Sequence, residues 1–98
     1  LDEATSRVAL VTGGNRGIGF EITRQLAERG MTVLLCARDP EKGAAAAEEL
    51  SAAGGRVLPR ELDVSDSDSV ERLASEVASD PGRLDVLVNN AGILYDTW

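Results

Sequence analysis

Near the start of the chain, Thr12-Gly13-Gly14-Asn15-Arg16-Gly17-Ile18-Gly19 sets glycines at close, fixed spacing around a single arginine and carries no acidic residue. A stretch of this kind binds and does not react. Glycine lets backbone approach a ligand closely, and the free N–H groups at a helix start can hold phosphate oxygens. Gly13 allows a sharp turn, Gly17 keeps side-chain atoms away from an approaching diphosphate, and Gly19 is expected to let the next helix pack closely on a sheet. The candidate contacts are Gly13, Asn15, Arg16, Gly17, Ile18 and Gly19. The loop lacks Gly-Lys-Ser/Thr, which argues against an ATP or GTP loop: no lysine reaches the terminal phosphates and no hydroxyl reaches a magnesium ion. Glycines also serve tight turns that hold nothing, so the meaning depends on the flanking elements.

Those elements alternate. Val8 to Val11 is a short apolar run, as a central strand covered on both faces requires. From Gly17 the period becomes helical, with Ile18, Ile22 and Leu26 four apart in one stripe until Gly30 stops the helix. Thr32 to Ala37 reads as the second strand. Asp39-Pro40 then opens an alanine-rich second helix, with Asp39 expected as its cap and Pro40 where its missing N–H costs nothing. Gly54-Gly55 ends that helix.

Val57 to Leu62 reads as a weaker strand, placed at an edge because Pro59 cannot donate to a ladder. Ser65 followed by Asp68 resembles a capped helix start, and Val70, Leu73, Ala74, Val77 and Ala78 fit an amphipathic helix. Pro81-Gly82 breaks it, and Leu84 to Val88 forms a fourth strand leading into Asn89-Asn90-Ala91-Gly92. Strand-helix alternation predicts parallel strands joined by crossovers, an α/β fold. It corresponds to the first half of a Rossmann-type doubly wound sheet, in strand order 3-2-1-4. All 98 residues read as one domain, with no internal repeat or linker.

The composition narrows the function. Seventeen acidic against ten basic residues leave a net charge of −7, which opposes nucleic acid and anionic membranes as partners. With 43% hydrophobic and 28% charged residues, the chain has the makeup of a folded domain. Cys36 is the only cysteine, so no internal disulfide forms and two-cysteine zinc or redox spacings are absent. The polar, acidic start from Leu1 to Arg7 is unlike a secretory signal, and a cytoplasmic setting is expected. The missing initiator Met and the end at Trp98 suggest a processed, partial or trimmed chain.

Three motifs in sequence now carry a resemblance: Thr12-Gly13-x-x-x-Gly17-x-Gly19, Asp63-Val64 after the third strand, and Asn89-Asn90-Ala91-Gly92 after the fourth. In order and spacing they resemble the short-chain dehydrogenase/reductase family. Val8 to Gly19, Ala37 to Asp39 and Asp85 to Ile93 resemble its carbonyl reductase branch. The resemblance implies hydride transfer between a nicotinamide cofactor and a small carbonyl or hydroxyl substrate. It also implies that Asp63 accepts a hydrogen bond from the adenine amino group beside Val64. Asn90, Ala91 and Gly92 would then line the adenosine ribose, and Asn89 is left as a structural residue.

Folds of this type that take NAD place an acid at the end of the second strand, where it holds the ribose hydroxyls and repels a 2′-phosphate. Here the position reads Ala37-Arg38, and Arg38 with Arg16 can pair with a 2′-phosphate, which points to NADP. Two solvated surface arginines are the plain alternative. If Asp39 instead faced the ribose, NAD would be favoured. Arg38 also argues against a methyltransferase, whose ribose would meet an acid there.

The family's catalytic serine and Tyr-x-x-x-Lys pair are not found. Tyr95 would need a lysine beyond Trp98, and no histidine exists to activate a serine. No catalytic residue and no metal ligand is assigned, so the chain is expected to be inactive alone. The alternative is a stand-alone dinucleotide-binding module without catalysis. Without a fifth strand, the fourth strand would present an apolar edge open to self-association.

Overall fold

Every residue of β1 (Val8–Thr12) is buried, which is why the strand carries no polar alternation. In the computed structural model, which describes residues 7–90, it is followed by α1 (Gly17–Glu28), β2 (Thr32–Ala37) and α2 (Pro40–Ala52). The order continues through β3 (Arg56–Glu61), α3 (Ser67–Ser79) and β4 (Val86–Val88). The strands form one parallel sheet in the order β3-β2-β1-β4, as the alternation predicted. β3 stands at an edge, where Pro59 is tolerated.

Side chains alternate between two cores. Val11, Val33, Leu35 and Val57 pack with Ala27 of α1 and with Ala46, Ala47 and Leu50 of α2. Val8, Leu10, Leu34 and Cys36 face the other way and pack with Leu62 and with Leu73 of α3. Among the described residues, two helices thus cover one face and one helix covers the other.

Helix starts follow local chemistry closely. Asp39 caps α2 as expected, its Oδ1 accepting from Glu41 N–H (2.9 Å) and Lys42 N–H (3.4 Å), with Pro40 in the first turn. At α3 the expectation of a Ser65 cap is corrected: Asp66 is the cap, accepting from Asp68 N–H at 3.0 Å. Ser65 is drawn back into the preceding turn, where its N–H (3.0 Å) and hydroxyl (2.6 Å) both donate to Asp63 Oδ1.

Burial departs from the periodic reading in two helices. In α1 the buried positions are Gly19, Thr23 and Ala27, while Ile22 and Leu26 are only partly covered and Ile18 is 65% exposed. Small residues face the sheet, which lets the helix axis approach and turns the large ones to its flanks. In α3 only Ser69 and Leu73 are buried, and Val70 (44% exposed), Ala74 and Ala78 lie outside. Among the described residues no second element flanks α3 on this face.

β4 is shorter than the expected Leu84 to Val88, because Asp85 is used otherwise. Its carboxylate accepts from Val8 N–H (2.8 Å) and pairs with Arg83, while its own N–H donates to Val8 O (2.9 Å). The Arg83 guanidinium and the Val8 amide together hold its carboxyl below the usual carboxylate range.

Candidate functional site

In a parallel sheet all strands end on the same side, so the segments following β1, β2, β3 and β4 gather along one edge of the fold. That edge receives the glycine loop, Arg38, the Asp63-Val64 turn and Asn90. Their grouping follows from topology and needs no proximity in sequence.

The loop is locked in place. Gly13 (φ +64) and Gly17 (φ +62) occupy the left-handed region that disfavours side chains. Gly14, to which the motif assigned no role, docks the loop on β2: its N–H donates to Cys36 O at 3.0 Å. A Cβ at Gly14 would lie 3.0 Å from Leu35 Cγ and 3.2 Å from Thr23 Oγ1. Its position directly after Gly13 was the only sequence signal.

Gly19 lies on the buried, sheet-facing side of α1 and also packs against the loop. A Cβ there would come within 2.2 Å of Gly13 O and 2.7 Å of Asn90 Nδ2, so its smallness lets the helix start close over the loop. Asn90 is the brace. Its Nδ2 donates to Gly13 O (3.2 Å) and its N–H donates to Thr12 Oγ1 (2.8 Å). The Thr12 hydroxyl in turn points to Val88 O (3.4 Å) and Asn89 Oδ1 (3.3 Å). The Asn90 side chain thus holds the loop that would receive a ligand, and Asn89 enters the same brace. Ala91, Gly92 and Tyr95 lie outside the described residues.

A Cβ at Gly17 would meet nothing within 4 Å, so the ground above the first turn of α1 is open. That turn also carries positive potential without an internal answer. Arg16 occupies the cap position with extended backbone and makes no side-chain capping bond, and no acid stands in the first turn. α2 and α3 each have an aspartate cap and a further acid in the first turn. The cradle therefore fits an anionic group such as a phosphate.

Arg16 and Arg38 are exposed, Ile18 projects into solvent beside the loop, and Asn15 is half-buried. Asp39, the residue that would have favoured NAD, has turned its carboxylate onto α2. Asp63 is half-buried, with Val64 exposed next to it. The hydrogen bonds from Ser65 hold the Asp63 carboxyl below the usual range, and the field of Arg38 acts in the same direction. Asp63 is thus an ionised acceptor near Arg38.

A hollow of about 580 Å³ lies elsewhere, lined by Arg60 of β3 and by Arg72, Ser75, Glu76, Ser79 and Asp80 on and after α3. It is lined by charges of both signs and by none of the loop glycines. Among the described residues no cluster of three His, Cys, Asp or Glu could hold a metal, and no helix is long and apolar enough to cross a membrane. Cys36 is buried, and burial pushes its thiol up to about 12, so it remains protonated and unreactive.

Known proteins agree with this geometry. The chain is 50% identical over 97 residues to (+)-neomenthol dehydrogenase of Arabidopsis thaliana, covering 95% of this chain and 33% of that protein. It is 48% identical over 91 residues to carbonyl reductase [NADPH] 1 of Bos taurus, covering 92% of this chain and 33% of that protein. A solved metagenomic short-chain oxidoreductase in complex with NADP superposes with a TM-score of 0.83 at 48% identity, over 89% of this chain and 39% of the other. The chain spans about a third of the length of these curated relatives. With the short chain dehydrogenase family model matching residues 7–97, this chain belongs to the short-chain dehydrogenase family.

Proposed function

We propose that this chain is the NADP(H)-binding portion of a short-chain reductase that moves a hydride between nicotinamide and a small carbonyl substrate. The observation that carries the reading is the first turn of α1, which is uncapped, free of acids and open to space above Gly17. A bound nicotinamide supplies the hydride, and the residues of this chain bind and orient the dinucleotide. The α1 amides and Gly13, Asn15, Gly17, Ile18 and Gly19 receive the diphosphate end. Asp63, Val64 and Asn90, with Ala91 and Gly92, receive the adenosine end.

Preference for the 2′-phosphate is assigned to Arg38 and Arg16. The diversion of Asp39 to helix capping supports this, since it removes the competing acid. The [NADPH] in the name of the bovine relative and the NADP complex of the solved relative support it as well. The 98 residues contain no Tyr-x-x-x-Lys pair, so cofactor binding without carbonyl turnover is the activity proposed for this chain by itself. The net charge of −7 supports partners other than nucleic acid or an anionic membrane, and a lone buried thiol supports a reducing, cytoplasmic setting.

Titration with NADPH and NADH tests the reading. The chain should bind NADPH more tightly, and Arg38→Asp should weaken NADPH by on the order of 10- to 100-fold while leaving NADH affected less, as expected for one charge-assisted contact of roughly 1.5–3 kcal/mol. Equal binding of both cofactors, or indifference to the substitution, would remove the NADP assignment.

A further inference from the structure

Asp63 is tied at every hydrogen-bonding group but one. Its N–H donates to Ser69 Oγ (2.9 Å) and its carbonyl accepts from Asp66 N–H (3.0 Å). Its Oδ1 accepts from both the N–H (3.0 Å) and the hydroxyl (2.6 Å) of Ser65, whereas Oδ2 accepts from none of the described residues. All of these bonds lie within residues 63–69 and draw on no other part of the chain. A turn of this kind needs only the amide bond from the residue two positions on. The Ser65 hydroxyl is a second tie to the same oxygen, and two donors on one oxygen fix the rotation of a carboxylate that one would leave able to swing.

We propose that Ser65 is a positioning residue that sets the purine preference of the cofactor site: its hydroxyl and amide pin Asp63 Oδ1 and keep Oδ2 for the adenine amino group. The inference rests on the reading of Asp63 as the adenine contact and adds what makes that contact selective. An amino group needs an acceptor. The bonds from Ser65 hold the Asp63 carboxyl below the usual range, so it accepts and does not donate. Hypoxanthine presents a carbonyl where adenine presents its amino group, and a fixed, ionised carboxylate repels that carbonyl, whereas a swinging one can turn away.

Fluorescence titration of the full 98-residue chain with NADPH and with its deamino analogue, in which hypoxanthine replaces adenine, tests the assignment. The unaltered chain should prefer the adenine form. Ser65→Ala should shrink that preference by about 3- to 10-fold, the span of one ordinary hydrogen bond, through weaker NADPH binding with the analogue little changed and circular dichroism the same. Ser65→Thr, which keeps the hydroxyl, should restore it. Asp63→Ala separates the contact from its support: it should erase the preference, and adding Ser65→Ala to it should change nothing further. An unaltered chain without preference, or a preference that survives Asp63→Ala, would remove the adenine reading and the role of Ser65 with it. A preference lost in Asp63→Ala but intact in Ser65→Ala would overturn the role of Ser65 alone, as would an equal loss for both cofactors in Ser65→Ala.

Discussion

At the start of α2, Asp39 turns its carboxylate onto the Glu41 and Lys42 amides, and Glu41 adds a second negative charge to the same turn. At the start of α1, Arg16 holds the equivalent position and supplies neither. Both helices begin with orphan N–H groups and the positive end of a helix dipole. One satisfies them from within, and the other leaves them facing open space. The difference separates a helix start satisfied by its own carboxylates from one that has none, and on the proposed reading an anion held by the loop would take the place of the missing carboxylate.

Substitutions at the loop test the comparison most severely. Gly19→Ala sets a Cβ against the Gly13 carbonyl at 2.2 Å, a backbone clash that no rotamer relieves. It should cost about 1–3 kcal/mol in urea denaturation and sharply reduce NADPH affinity. Gly17→Ala enters open space at φ +62, so its stability cost should stay near the roughly 1–2 kcal/mol of a left-handed alanine. Its loss of NADPH affinity should be the larger effect, because the new methyl occupies the ground reserved for the diphosphate. Equal NADPH binding by Gly17→Ala and the unaltered chain would show that the opening above α1 receives nothing.

At α2, Asp39→Ala removes a cap that no ligand replaces. A loss of about 1 kcal/mol is expected in thermal or urea unfolding, the same with and without NADPH. Arg16→Asp makes α1 resemble α2, and its two effects should have opposite signs. The apo chain should gain from a few tenths to about 1 kcal/mol from the new cap, while NADPH affinity falls, as calorimetric titration beside a melting curve would show. A variant that lost stability and affinity together would mean that the start of α1 is not built as a ligand-seeking counterpart of α2.

Much of the architecture was legible in the residues. Strand-helix alternation led to the order β3-β2-β1-β4, Pro59 to an edge, and Asp39-Pro40 to the start of α2. Periodicity was less informative about burial. It placed Ile18, Ile22 and Leu26 in one stripe, of which Ile22 and Leu26 pack against the core only partly buried and Ile18 is exposed, whereas Gly19, Thr23 and Ala27 are buried against the sheet, because a helix lying close to strands buries its small residues first. It also placed Val70, Ala74 and Ala78 inward on α3, whereas they are exposed, since among the described residues α3 alone covers its side of the sheet. Ser65 misled as a cap because Asp63, two residues earlier, competes for its hydroxyl and amide.

The amino-acid sequence by itself determined the local features: which glycines accept a left-handed backbone, which carboxylates cap helices, and which apolar runs become strands. Each depends on conformational energies within a few residues. Only the tertiary structure decided that Asn90 braces Gly13 and that Gly19 must yield to both. Thr12 and Asn90 stand 78 positions apart, and it is the parallel pairing of β1 with β4 that brings their hydrogen-bonding groups to 2.8 Å.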